Sequence, residues 1–344
     1  HRHRHPEIGV GPVKLTWRRR RLHLRYPFRI ARRQDDNTEK EMLLIQIEHG
    51  GHVGWGEAAP ISYYHQSLDS AEAMLREAAG MLGDDPFAFD AVLDALWARF
   101  ADQSAAIAAI DGAMHDLAGR ILGIPVWKWL GLDRSRAPLT SFTIGIDDLD
   151  VIARKVEEAA QYPILKIKVG TPRDDEILAT VRRGAPDKVL RVDANCGWTS
   201  ANVLEQCRRL SERYRLEFIE QPTPAGEHEV LPAVRKAGLG PLVADESCVG
   251  VADVLRCVGL FDGINIKLSK CGGIRRALQM IHTARSAGLK IMLGCMIETS
   301  VGIAAAAHLA PLVDWIDLDG HLLLADDPFE GLGGSEGRLT LNDR

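Results

Sequence analysis

Residues 164–170 read Ile164-Leu165-Lys166-Ile167-Lys168-Val169-Gly170, and the fold turns on how this stretch is understood. Residues two apart on a strand share a face, so Lys166 and Lys168 point one way while Ile167 and Val169 point the other. On a sheet with one face in water, two such lysines would simply be solvated. The surrounding sequence argues against that. Similar β-branched runs occur at 140–144, 189–192, 217–220, 242–244, 264–268, 291–293 and 315–318. Their starts are roughly 25 residues apart, and helical patterns fill most of the gaps. Eight strands alternating with helices predict an α/β fold, a (β/α) barrel over residues 138–320. An open doubly wound sheet would want a glycine-rich phosphate turn after its first strand, and none is present. In a barrel one strand face packs on helices and the other fills the interior. Two lysines there are costly unless they are used.

The first third of the chain has a different rhythm. Residues 13–26, 42–48 and 52–57 read as strands, the last two joined by Gly50-Gly51. Helical patterns follow at 68–82, 87–100 and 104–122, the last closed by Gly123 and Pro125. Strands followed by a block of helices predict a separate α+β unit over 1–137. The Gly/Asp/Pro-rich segment 321–344 is expected to return to it.

Composition excludes several classes. A net charge of -5, from 42 basic and 47 acidic side chains, gives no footprint for nucleic acid. The run Arg18-Arg19-Arg20-Arg21 lies in an alternating stretch and reads as a solvated strand edge. There is no apolar run long enough for a membrane helix and no signal peptide. Six cysteines without a Cys-x-x-Cys pair suggest free thiols and a cytoplasmic location. The start, His1-Arg2-His3-Arg4-His5, is set aside as a tag remnant or a native tail.

Barrel sites are built at the C-terminal ends of the strands. The third strand ends on Asp193, the fourth on Glu220 and the fifth on Asp245, at steps of 27 and 25 residues. Three carboxylates in register at one rim would repel one another strongly. A hard divalent cation, magnesium, resolves this and keeps positions open for a substrate. Glu246 faces away from Asp245 and is expected behind the metal ligands. On the sixth strand Lys267 shares a face with Asn265 and Ser269, while Lys270 falls beyond the strand and is expected in solvent. Lys267 then faces Lys168 across the barrel, with Lys166 beside the latter. A cation holding a substrate carboxylate would stabilise the enediolate formed when the neighbouring carbon loses its proton. Two opposed lysines would remove the proton from one side and return it to the other, a 1,1-proton transfer.

These residues carry a family resemblance. Lys-x-Lys on the second strand, Asp, Glu and Asp on the next three, and Asn-Ile-Lys-x-x-Lys-x-Gly-Gly on the sixth resemble the muconate-lactonizing branch of the enolase superfamily. That superfamily uses lysine or histidine bases with magnesium. The resemblance implies a modified barrel, seven β/α units and a final strand, under a capping domain from both chain ends. Val53-Gly54-Trp55-Gly56-Glu57-Ala58 looks like the mobile loop of that cap. On the eighth strand Asp317-Leu318-Asp319 resembles the Asp-x-Asp with which dipeptide epimerases bind the substrate ammonium group. Thr143 and Cys295 match positions that contact the dipeptide, and Arg32 or Arg33 matches an arginine that pairs with a glutamate side chain. The implied substrate is a dipeptide, L-Ala-D/L-Glu. N-acylamino acid racemases, o-succinylbenzoate synthases and cycloisomerases of the same branch are the alternatives. Self-association as a homo-oligomer is left open.

Overall fold

A computed structural model describes residues 11–342, so the histidine- and arginine-rich start lies outside the described residues. Three antiparallel strands open the chain: β1 (Lys14–His23), β2 (Glu39–His49) and β3 (His52–Ala58), in the order β1-β2-β3. β1 is an edge strand, where Arg19 pairs with Glu72 and Arg21 with Glu41, so the arginine run is a charged sheet edge as expected.

Helices α1 (Leu68–Ala78), α2 (Phe89–Phe100) and α3 (Ser104–Leu122) cover this sheet. Residues 52–58 form strand β3, paired with β2 along its whole length, as the strand reading of 52–57 expected and unlike the mobile loop that the resemblance implied for 53–58. Its glycines explain the difference. A Cβ on Gly54 would lie 2.1 Å from the Ala113 carbonyl oxygen, and one on Gly56 would lie 2.0 Å from that of Ala109. They let β3 seat directly on α3, a use of glycine for close backbone approach rather than for mobility. The unit has its own core, including Leu43, Ile45, Leu75, Leu96, Ile107 and Leu117.

After α4 (Val126–Trp129) the chain enters the barrel. Its strands are β4 (Phe142–Ile144), β5 (Ile164–Lys168), β6 (Val189–Asp193), β7 (Leu216–Glu220), β8 (Leu242–Ala244), β9 (Gly263–Lys267), β10 (Lys290–Gly294) and β11 (Trp315–Asp317). All neighbours are parallel, from β4 to β11 in chain order. A bridge between Thr140 and Ile316 spans the remaining seam. Helices α5 (Leu149–Glu158), α6 (Asp174–Gly184), α7 (Val203–Tyr214), α8 (Leu231–Lys236), α9 (Val251–Val254), α10 (Leu268–Cys271), α11 (Ile274–Ser286) and α12 (Ser300–Ala307) fill the crossovers. Among the described residues no α-helix follows β11, so the barrel is seven β/α units and a final strand.

Period-two alternation lays the interior out in layers. Phe218, Val243 and Met292 pack with Trp315 two residues below the strand ends. Buried Arg191 joins this layer, 2.6 Å from Glu217, with its guanidinium over the Phe218 ring. This plug closes the barrel from below. The C-terminal segment crosses back to the first sheet, where Ala325 N–H donates to the His23 carbonyl at 2.8 Å.

Candidate active site

One layer above the plug stand the strand-end side chains. Asp193, Glu220 and Asp245, from β6, β7 and the end of β8, are all buried, and one oxygen from each lies within 4.8 Å of the others. Each is neutralised by a lysine. Lys168 Nζ lies 2.7 Å from Asp193, Lys166 Nζ lies 2.6 Å from Glu220, and Lys267 Nζ lies 2.7 Å from Asp245. Lys166 also reaches Asp317 at 2.6 Å. Every residue expected at the metal and at the acid/base positions is therefore brought to one place.

The electrostatics follow from burial against these pairings. Burial pushes Asp193 up, but Lys168 and Lys166 outweigh it and bring the carboxyl down to about 2. Asp245 is likewise held well below the usual range by Lys267 and Lys270, against burial. Glu220 goes the other way, pushed up to about 7 by burial and by the charge of Asp193. Burial would lower the Lys166 and Lys267 amines, but the carboxylates around them raise both.

The chain is shaped to hold these groups. Asn195, Cys196 and Gln221 adopt positive φ of 44°, 66° and 34° just past two of the strand ends. Such backbone is sparsely populated and persists where its surroundings fix it. Gln221 shows how: its side-chain oxygen accepts from the backbone N–H of Asp245 at 2.9 Å and of Ser247 at 3.1 Å, tying β7 to the Asp245 turn. Asn265 donates to Glu220 at 2.7 Å.

Lys270 is not in solvent. β9 ends at Lys267, and the one-turn helix α10 folds Lys270 back beneath the strand ends. There the residue is 2% exposed, and its amine donates to Asp245 Oδ1 and the Asp245 carbonyl, both at 2.7 Å, and to the Cys248 and Asn265 carbonyls. A buried ammonium needs such partners, and the turn supplies them. The same early strand end moves Ser269 onto α10, where its hydroxyl faces the Ala59 carbonyl.

Above the lysines is a cavity of about 130 Å³ lined by Lys166, Lys168, Lys267, Thr143, Asp317 and Asp319, with Cys295 and the loop residues Phe28, Arg32 and Arg33. Larger clefts of about 310 and 360 Å³ lie elsewhere, and neither is lined by Lys166, Lys168 or Lys267. Asp317 accepts from Ser141 Oγ at 2.7 Å, and Asp319 accepts from Thr143 N–H at 2.6 Å. Burial and the charge of Asp317 push Asp319 up to about 7. The Cys295 thiol donates to the Asp317 carbonyl. Arg32 leans across the rim to Glu246 at 2.5 Å and lies over the Tyr63 ring at 4.3 Å, while Arg33 pairs with Asp35 at 3.4 Å. Ser141, Asn265, Gln221 and Lys270 were missed as site residues. For Lys270 the available signal was its place in the Asn-Ile-Lys-x-x-Lys-x-Gly-Gly stretch.

The donor set fits a hard divalent cation: three converging carboxylates, with buried Asn195 Oδ1 and Asn265 Oδ1 accepting no hydrogen bond among the described residues. A closed barrel with such a cluster between two opposed lysines defines a class of metal-assisted proton-transfer proteins. The comparisons with known proteins narrow it. Residues 150–331 match the enolase C-terminal domain-like family, and residues 13–131 match the mandelate racemase/muconate lactonizing enzyme N-terminal domain. The chain belongs to the enolase superfamily, in its mandelate racemase/muconate lactonizing enzyme branch. It is 38% identical over 98% of its length to an L-Ala-D/L-Glu epimerase of Bacteroides thetaiotaomicron, covering 88% of that protein. It is 43% identical to an L-Ala-D/L-amino acid epimerase of Pedosphaera parvula, over 86% of each chain. Its fold matches the crystal structure of a dipeptide epimerase from Enterococcus faecalis, complexed with Mg and L-Leu-L-Tyr, with a TM-score of 0.89 and 32% identity over 97% of this chain and 98% of that one.

Proposed function

We propose that this protein is a dipeptide epimerase that inverts the α-carbon of the second residue, with L-Ala-D/L-Glu as its substrate pair. The observation that carries this reading is one cavity holding Lys168, Lys267 and the Asp317/Asp319 pair above the carboxylate cluster. Relatives and a structural neighbour with this chemistry support it.

Asp193, Glu220 and Asp245 would hold magnesium, which supplies positive charge to offset these carboxylates and to stabilise the charge that builds on the substrate carboxylate as the α-proton leaves. Lys168 Nζ takes that proton from one side, and Lys267 Nζ returns one from the other. The roles exchange with the direction of reaction. Lys166 adds a fixed cation beside the substrate carboxylate and beside Lys168. Asp317 and Asp319 receive the substrate ammonium group, and an acyl-capped amino acid would leave these carboxylates unmatched. Thr143, Cys295, Arg32 and Arg33 shape the walls. Glu246, through Arg32, anchors the loop over the rim. In this reading residues 1–137 and 321–344 form the cap and 138–320 the reacting barrel. A cytoplasmic location accords with six cysteines that are all unpaired. No helix among the described residues is long and apolar enough to cross a membrane.

The test is proton NMR in deuterated buffer with magnesium, on L-Ala-L-Glu, L-Ala-L-Lys and L-Ala-L-Phe. The α-proton signal of the second residue should fade while a second diastereomer appears. A chelator should stop this, and added magnesium should restore it. No exchange in any dipeptide would remove the reading and turn the search to N-acylamino acids.

A further inference from the structure

Six cationic side chains line the cavity: Arg32, Arg33, Lys40, Lys166, Lys168 and Lys267. Five are committed to carboxylates. The three barrel lysines pair with the strand-end acids, Arg32 with Glu246 and Arg33 with Asp35. The Lys40 amine has no ion pair and no hydrogen bond among the described residues.

Its position explains why it is enclosed. Lys40 lies near the start of β2, opposite Leu22 on β1. It shares a strand face with Met42, which packs with Phe28 and Ile297. Its half-buried side chain thus reaches the cavity along an apolar wall made by the cap and by the loop after β10. Two carboxylates stand behind it, but both are engaged elsewhere. Glu57 accepts from Thr299 N–H at 3.0 Å, and Glu298 accepts from Met296 N–H at 3.0 Å. Desolvation, with Arg33 adding to it, lowers the Lys40 amine against the opposing charges of Glu298 and Glu57. An enclosed ammonium without a counter-ion is costly, and an anion arriving in the cavity would offset that cost.

The substrate carboxylate belongs at the floor with Lys166, and the ammonium group at Asp317 and Asp319. A cation on the cap-side wall therefore calls for a second anion. We propose that Lys40 is a specificity-determining residue that pairs with a side-chain carboxylate of the substrate, selecting acidic dipeptides over neutral ones of the same shape. The proposal rests on the dipeptide reading above. It gives Lys40 the part that the resemblance assigned to Arg32 or Arg33, which are held by Glu246 and Asp35.

The experiment compares kcat/KM for α-proton exchange on L-Ala-L-Glu and L-Ala-L-Gln, and on L-Glu-L-Ala and L-Gln-L-Ala, in the wild-type protein and in Lys40→Met, Lys40→Gln and Lys40→Arg. The wild type should favour the acid of at least one pair by about 10- to 100-fold, as a hydrogen-bonded charge pair allows. Lys40→Met and Lys40→Gln should bring that ratio to about one, mainly through KM, and Lys40→Arg should keep most of it. Two neutral variants of different shape separate loss of charge from a packing defect. An unchanged acid-to-amide ratio in both neutral variants, or a wild type that favours the amides, overturns the role of Lys40 while the epimerase reading stands. Absence of exchange in all four dipeptides overturns both.

Discussion

At the scale of single residues, the chemistry is set by which charges are left to face one another. Lys168 and Lys267 come from strands β5 and β9 and reach the same cavity from separate carboxylate partners. If each serves one face of the α-carbon, replacing either should stop epimerisation without stopping all proton exchange. Lys168→Met and Lys267→Met should each lower the rate of inversion by about 10²- to 10⁴-fold. Each should still exchange the α-proton of one epimer, and the two variants should choose opposite epimers. Deuterium incorporation into L-Ala-L-Glu and L-Ala-D-Glu, followed separately, checks this. Loss of exchange for both epimers in one variant would instead make a single lysine serve both faces.

Six charged positions, Lys166, Lys168, Lys267, Asp193, Glu220 and Asp245, were legible because their signal is local. Alternation puts Lys166 and Lys168 on one face, and strand-end register aligns Asp193, Glu220 and Asp245. Lys270 and Lys40 were not legible. The direction of Lys270 depends on β9 ending at Lys267 and α10 turning the chain back. Lys40, between Glu39 and Glu41, has the look of a solvated charge run. Its enclosure comes from Met296 and Ile297, at the far end of the chain.

At the scale of elements, the helix and strand pattern was readable nearly throughout, since barrel period and helix amphipathicity are properties of short windows. β3 was read as a strand too, yet a window does not show what its glycines are for. Glycines at 54 and 56 also let the segment be taken for a loop, and only α3 packed against them shows their use. Gly56→Ala would drive a methyl group into the Ala109 carbonyl. That substitution should lower stability by about 1–3 kcal/mol, the usual cost of overpacking, or more if the strand cannot shift. Urea unfolding of the variant measures it. A loss below about 0.5 kcal/mol would mean that the β3–α3 seat yields freely.

At the scale of the whole molecule, the cap and barrel meet at buried carboxylates. Glu57 on β3 accepts from Thr299 and Gly302 at the start of α12, an arrangement favoured at helix N-termini. Burial still pushes Glu57 up to about 7, and burial with the charge of Glu57 pushes Glu298 up to about 8. Both acids therefore keep their protons in the folded state at pH values where the unfolded chain has lost them. The folded state binds more protons between the ordinary glutamate range and about pH 8, so these groups cost stability as pH rises through that window. Glu298→Gln stays neutral and should lose less stability between about pH 6 and 8.5, by on the order of 1–2 kcal/mol. Urea midpoints of both proteins at the two pH values check the sign. A steeper decline in the variant would reverse it.

The barrel and the first sheet keep separate hydrophobic cores, yet both supply walls to one cavity. Lys40, Arg32, Arg33 and Phe28 come from the sheet and its long loop, while every group placed near the reacting carbon comes from barrel strands. Descent with change can therefore proceed in one compartment at a time. A lineage can revise which dipeptide it turns over through replacements in the β1–β2 connection and at the start of β2, with the proton-handling machinery inherited intact.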